Sequence, residues 1–149
     1  AAVKDEYAPP LDTGPKASRT FFRRLETIEL PHRVDRYPTS RYSLVELQPD
    51  TGRRHQLRRH LAHVSHPIIG DSTYGKGRHN RLFAELFGVQ RLLLACVRLE
   101  FAHPRGGQGL RFEAAPGEDF ESVILRLGWR MPAGSPGRNL TQPLPSPSP

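Results

Sequence analysis

Between Thr51 and Leu61 the chain reads Thr-Gly-Arg-Arg-His-Gln-Leu-Arg-Arg-His-Leu, and Pro67-Ile68-Ile69-Gly70-Asp71 follows closely. Arg53, Arg54, Arg58 and Arg59 therefore share one short stretch with His55 and His60. Arginine's planar fork of donors suits bidentate contact with phosphates and base edges better than a lysine point charge does. Fixed positive charge this dense beside an apolar stripe calls for an anionic partner, and RNA or DNA phosphate is the first to consider. The plainer alternative is a charge that only keeps the protein soluble.

Other chemistries find less support. His55, His60, His63 and His66 have H-x4-H-x2-H-x2-H spacing, which points them to different sides of a helix with no carboxylate among them, so no metal is expected. Ser65 and Ser72 lie outside any G-x-S-x-G context, which argues against a nucleophile elbow. Asn139-Leu140-Thr141 matches a glycosylation sequon, but it sits in a Pro/Ser/Gly-rich tail and carries no functional reading. Cys96 is the sole cysteine, so no internal disulfide forms; its apolar neighbours predict a small core residue. The longest apolar run, Leu92 to Val97, is too short to span a bilayer, and no signal peptide is evident. The expectation is a cytoplasmic protein with no membrane partner.

The whole chain is basic: 22 Lys+Arg against 15 Asp+Glu give +7 over 149 residues, and lysine appears only at Lys4, Lys16 and Lys76. That length fits one domain. Residues 1–15 read as a linker, 16–130 as the folded part and 131–149 as a disordered tail rich in Pro, Ser and Gly.

Several elements must position the arginines. Phe22, Leu25, Ile28 and Leu30 alternate imperfectly, predicting a strand over Thr20–Leu30 with a bulge or bend. After a polar turn from Pro31 to Pro38, Arg41–Leu47 alternates cleanly as a second strand. Pro49-Asp50-Thr51-Gly52 is a turn, with Pro fixing φ and Gly free to make it positive. A helix over Arg53–Val64 then puts Leu57, Leu61 and Val64 on the core side. Arg54 and Arg58 stand at i, i+4 on one shoulder beside His55, Arg53 and His60 take the other, and Arg59 and His63 point to solvent. Asn80–Phe87 predicts a helix stopped by Gly88, and Glu118–Leu127 another through Phe120, Val123, Ile124 and Leu127. Arg91–Phe101 is the strongest strand signal and reads as central in a sheet, with Leu110–Glu113 as its successor after a Gly-rich turn. Strands and helices mix without strict alternation. The expected class is α+β, a mixed and mostly antiparallel sheet with flanking helices.

The ordered series Thr51-Gly52-Arg53-x-His55-Gln56-Leu57-Arg58-x-His60-Leu61, then His66-Pro67-Ile68-Ile69-Gly70-Asp71, then Arg91-Leu92-Leu93-Leu94 resembles the RluA-type pseudouridine synthases. Arg36-Tyr37-Pro38-Thr39-Ser40-Arg41-Tyr42, Phe87-Gly88-x-Gln90-Arg91-Leu92 and Gly128-Trp129-Arg130 bring it nearest to a tRNA-modifying branch. The likeness runs from about Lys16 to Arg130. It implies an isomerase that flips uridine out of the RNA stack and, with an aspartate's help, converts it to the C-glycoside. The implied partner is RNA, tRNA first, and no cofactor is expected. The resemblance makes Arg58 the catalytic arginine that holds that aspartate ionised. Arg53, Arg54, His55, Gln56 and His60 would line the substrate cleft, with Leu94 or a neighbour walling the base pocket.

The family's aspartate lies in a His-Arg-Leu-Asp-Arg-x-Thr-Ser-Gly motif well upstream of this arginine. His32-Arg33-Val34-Asp35-Arg36-Tyr37-Pro38-Thr39-Ser40 mimics it, but Arg41 replaces the final Gly and only one strand separates Asp35 from the helix. The family's base-stacking tyrosine has no counterpart either, Tyr42 and Tyr7 being poor substitutes. The resemblance therefore covers the C-terminal half of a catalytic domain and carries the arginine side of the cleft without the aspartate side. Three readings follow: part of an RNA-modifying isomerase, a non-catalytic RNA-binding module that keeps the basic helix, or a basic structural module. A half-domain would also expose a sheet edge and an apolar face, which invites self-association.

Overall fold

A computed structural model describes residues 16–132 and 142–143. The expected linker 1–15 and most of the expected tail lie outside those residues. Strand β1 (Thr20–Leu30) pairs antiparallel with β2 (Ser40–Pro49) from Thr20↔Pro49 to Leu30↔Ser40. The register slips between Arg24 and Glu26, placing the predicted bulge at Leu25. Tyr42 and Leu44 face inward from β2, as their alternation requires.

Helix α1 (Gln56–His63) follows, then α2 (Gly77–Phe87), the hairpin β3 (Arg98–Ala102) and β4 (Gly109–Glu113), and α3 (Glu118–Arg126). A two-residue strand β5 (Gln142–Pro143) pairs with Phe21 and Phe22 on the free side of β1. Among the described residues the strands form two antiparallel sheets, ordered β2-β1-β5 and β3-β4, with three helices beside them. This is an α+β fold. No helix among the described residues is long and apolar enough to cross a membrane.

The core gathers Tyr42 from β2, Phe83 from α2, Val89, and Val123 and Leu127 from α3 and its end. Tyr42 and Phe83 meet edge-on with ring centroids 4.7 Å apart. Gly88 closes α2 in the left-handed region at φ 69°, where its N–H reaches the Ala84 carbonyl.

Three expectations need correction. The arginine helix starts at Gln56, later than Arg53, because His55 adopts a left-handed backbone (φ 53°) and breaks the helical path. Arg54 therefore stands outside the helix, and the i, i+4 pairing with Arg58 is not a helical one. Arg91–Phe101 is no central strand either. Leu93 N–H bonds the Ile69 carbonyl at 2.9 Å and its side chain packs on the core, while pairing begins only at Arg98. Strand propensity reports fitness for a pleated, half-buried surface, and here loop 67–71 offers that surface without a ladder. Cys96, in that same stretch, is exposed rather than buried in the core.

Candidate nucleic-acid interface and its arginine

The turn that precedes α1 is tied down by Gln56. Its Oε1 accepts from Thr51 Oγ1 at 2.7 Å and the Arg53 N–H at 3.1 Å. Its Nε2 donates to the Arg19 carbonyl at 2.9 Å and Thr20 Oγ1 at 3.0 Å. Every polar atom of this side chain is used inside the protein, so Gln56 straps the turn to the start of β1. His60 behaves alike. Fully buried, it joins Thr20 Oγ1 through Nδ1 at 2.8 Å and Ser18 Oγ through Nε2 at 2.9 Å. Burial pushes its pKa below the ordinary value, with the nearby His63 and Arg59 adding to the effect. His60 lies inside the fold and not on a helix shoulder. Gln56 and His60 thus set the pose of α1 from beneath.

Arg53, Arg54 and His55, in the turn that leads into α1, and Arg59 within it are all exposed. Strapped from below and charged on top, the 53–59 segment presents a rigid basic surface.

Arg58 differs from its neighbours. Its Nε and Nη2 donate to Asp71 Oδ2 and Oδ1 at 2.7 and 2.8 Å, a side-on bidentate pair. The Asp71 side chain is 0% exposed and that of Arg58 19%. Asp71 Oδ1 also accepts the N–H groups of Thr73 and Tyr74, both at 2.9 Å. The Arg58 hydrogen bond first, and those backbone donors after it, outweigh burial and hold the Asp71 carboxyl well below the usual carboxylate range. The same bond raises the pKa of Arg58.

The loop around Asp71 is built for close approach. Gly70 has φ 83°, and a Cβ there would fall 1.9 Å from the Arg91 carbonyl oxygen. A Cβ on Gly75 would lie 2.1 Å from the Asp71 carbonyl oxygen. Asn80 of α2 clamps the turn, accepting the Gly70 N–H at 2.8 Å and donating to the Asp71 carbonyl at 3.0 Å.

Leu94 is half-buried, and its carbonyl accepts from Arg91 Nη2 at 3.3 Å. Asp35 sits in the β1–β2 loop against His79 Nε2 (3.3 Å) and Arg78 (3.9 Å) of α2. Among the described residues, the carboxylate that meets Arg58 is Asp71 and not Asp35. No cluster of metal-ligating side chains occurs among the described residues.

Neither Asp71 nor Tyr74 is among the site residues expected from the sequence. One signal was available: Asp71 is the only acidic residue between Asp50 and Glu85, in a segment crowded with arginine. A lone acid there has many cations to choose from, and burial selects one.

A family profile described as RNA pseudouridylate synthase matches residues 6–63, which carry β1, β2 and α1. Together with the extended similarity below, this supports an RluA-type pseudouridine synthase family member. It is 49% identical to tRNA pseudouridine synthase C of Salmonella typhi over 128 residues, 86% of this chain and 49% of that protein. The enzyme of the same name from Vibrio cholerae is 44% identical, again over 86% of this chain and 52% of its own length. That of Pectobacterium carotovorum subsp. carotovorum is 43% identical over 86% of this chain and 34% of its own. The chain spans about half the length, or less, of these curated relatives.

Proposed function

We propose that this chain forms the arginine side of the reacting cleft of an RNA pseudouridine synthase, an isomerase acting on uridine in tRNA. A uridine flipped from its stack presents the glycosidic bond. The bond from C1′ to N1 breaks and one from C1′ to C5 forms, while N1 gains a proton and C5 loses one. Atoms balance without a redox or group-transfer cofactor. Arg58 would meet the carboxylate that acts at the ribose and keep it ionised. Arg53, Arg54 and His55 would hold the RNA strand, while Gln56 and His60 act from beneath by fixing their backbone. Leu94 would wall the base.

The observation that carries this reading is Arg58 itself. Asp71 occupies one edge of its guanidinium, and no described residue occupies the other. Asp71 cannot be the reacting carboxylate, since its side chain has no solvent exposure and its oxygens already accept Arg58, Thr73 and Tyr74. That gap also favours the second reading, an RNA-binding module without turnover. Such a protein would work in the cytoplasm, where tRNA is processed. Its exposed apolar hairpin face, with Leu99, Phe101 and Phe112, would support self-association.

The test compares this chain with a complete-length synthase carrying the same span, on tRNA transcripts assayed for pseudouridine. The expected result is turnover by the complete-length protein and none above background by this chain alone. RNA binding by both without turnover by either would select the binding module.

A further inference from the structure

We propose that Asp71, Tyr74 and His55 form a cradle that orients Arg58, so that only one edge of its guanidinium can meet an anion in the cleft. The proposal deepens the reading of Arg58 given above and rests on it.

A guanidinium carries five N–H donors in a rigid plane. Asp71 takes the Nε–H and one Nη2–H. Two donors on Nη1 and one on Nη2 remain, forming a second fork at the end of the group. That fork matches a carboxylate or a phosphate in the same bidentate manner.

Asp71 is itself immobile. The Thr73 and Tyr74 N–H groups grip its carboxylate, Asn80 holds its carbonyl, and the Gly75 backbone packs against it. Tyr74 then closes one face of the plane, its ring centroid 5.1 Å from the Arg58 guanidinium carbon. The Tyr74 hydroxyl lies 3.1 Å from His55 Nδ1, and the two rings meet edge-on at 5.8 Å. His55 caps the helix that carries Arg58, in a left-handed conformation that side chains other than glycine seldom adopt. The contacts form a closed circuit from α1 through the 71–75 loop and back to α1.

The circuit has an electrostatic consequence. The ion pair is close to neutral, so Arg58 attracts RNA less than the free charges of Arg53 and Arg54 do. What it offers is direction: fixed donors where an anion must sit, already desolvated on one side. Asp71, Tyr74 and His55 are thus positioning residues acting through Arg58. A plain staple between helix and loop would need the Asp71 bond but neither the ring over the plane nor the histidine on its hydroxyl.

Two measurements decide. In the first, nitrogen-15 spectra of this chain follow the arginine Nε–H signals, with that of Arg58 assigned by its disappearance in Arg58→Lys. The signal should be shifted and slow to exchange, and Asp71→Asn should move it among the exposed arginines. Adding inorganic phosphate or a short uridine RNA should perturb the Arg58 Nη signals while leaving its Nε–H protected. An Arg58 Nε–H that exchanges as fast as the exposed arginines, or one indifferent to Asp71→Asn, overturns the cradle.

The second measures turnover in a complete-length synthase carrying this span. Asp71→Asn should lower kcat about tenfold or more, because small misplacements of a reacting group are that costly. KM should stay within about twofold, since the phosphate-gripping charge is elsewhere. Tyr74→Leu should fall in between, and Asp71→Glu should recover part of the Asn loss. A staple would cost folded protein but leave kcat per folded molecule unchanged, and that result refutes the positioning role. Should the unsubstituted enzyme make no pseudouridine, the functional reading fails, and the spectra alone still decide whether the cradle orients Arg58.

Discussion

Gln56→Met separates two roles that a glutamine in a basic cleft could play, contact with RNA or support from beneath. The residue is 6% exposed and its side chain makes four hydrogen bonds, to Thr51, Arg53, Arg19 and Thr20. At a net contribution of about 1 kcal/mol each, their loss would cost up to about 4 kcal/mol. Two features lower that figure. Thr20 Oγ1 keeps its 2.8 Å bond to His60, so it is not orphaned. Arg19 and Arg53 are exposed, and their freed backbone groups can find water. Methionine fills a similar volume without branching, which keeps the cavity cost small. The expected loss is about 2–3 kcal/mol, or roughly 10 °C in Tm for a domain of this size. Urea and thermal unfolding measure it. RNA affinity, titrated well below the transition, should stay within about threefold, because a tenfold loss would need about 1.4 kcal/mol of direct contact. Unchanged stability with affinity lost tenfold or more would refute the strap and make Gln56 an RNA contact.

Three further outcomes can be checked on the same chain. Filter binding at two salt concentrations should give a log–log slope of about −2 to −3, and Arg53→Gln with Arg54→Gln should flatten it by about 1.5; a salt-independent affinity would end the argument for a phosphate-binding face. Stability against pH should show two features of known sign. His60 is held below its ordinary pKa by burial, so the unfolded chain takes the proton first and stability falls as pH drops through about 6.5, a slope that His60→Gln should remove. Asp71 is held low chiefly by Arg58, so its contribution is complete above about pH 4 and is lost in stronger acid; urea midpoints of Asp71→Asn should lack that limb. Finally, Phe101→Ser with Phe112→Ser removes two stacked rings that are 44% and 55% exposed, and should abolish any concentration-dependent association seen by sedimentation.

The elements that the sequence made legible are those with a local physical cause. Alternation defined β1 and β2, and its imperfection in β1 announced a bulge or bend, whose position at Leu25 came from the pairing register. Helical periodicity with a glycine stop defined the end of α2, and the Phe120, Val123, Ile124, Leu127 stripe defined α3. Net charge and the arginine cluster pointed to an anionic partner. The ordered motifs named the family that the profile and the curated relatives support.

Tertiary contacts decided the rest. A strongly apolar run from Leu92 to Val97 says that burial is wanted without saying what provides it, and loop 67–71 took the place of a neighbouring strand. The stripe of α1 was visible, but its start depended on His55 turning left-handed and on Gln56 reaching back to β1 from 36 residues away. Histidines at 55 and 60 look alike in a sequence. One is exposed against Tyr74, and the other is sealed between Thr20 and Ser18. Asp71 depends on the fold most of all. Side-chain pairing across 13 residues leaves no period in the chain, and only the fold could show that its one carboxylate in that basic segment chose Arg58.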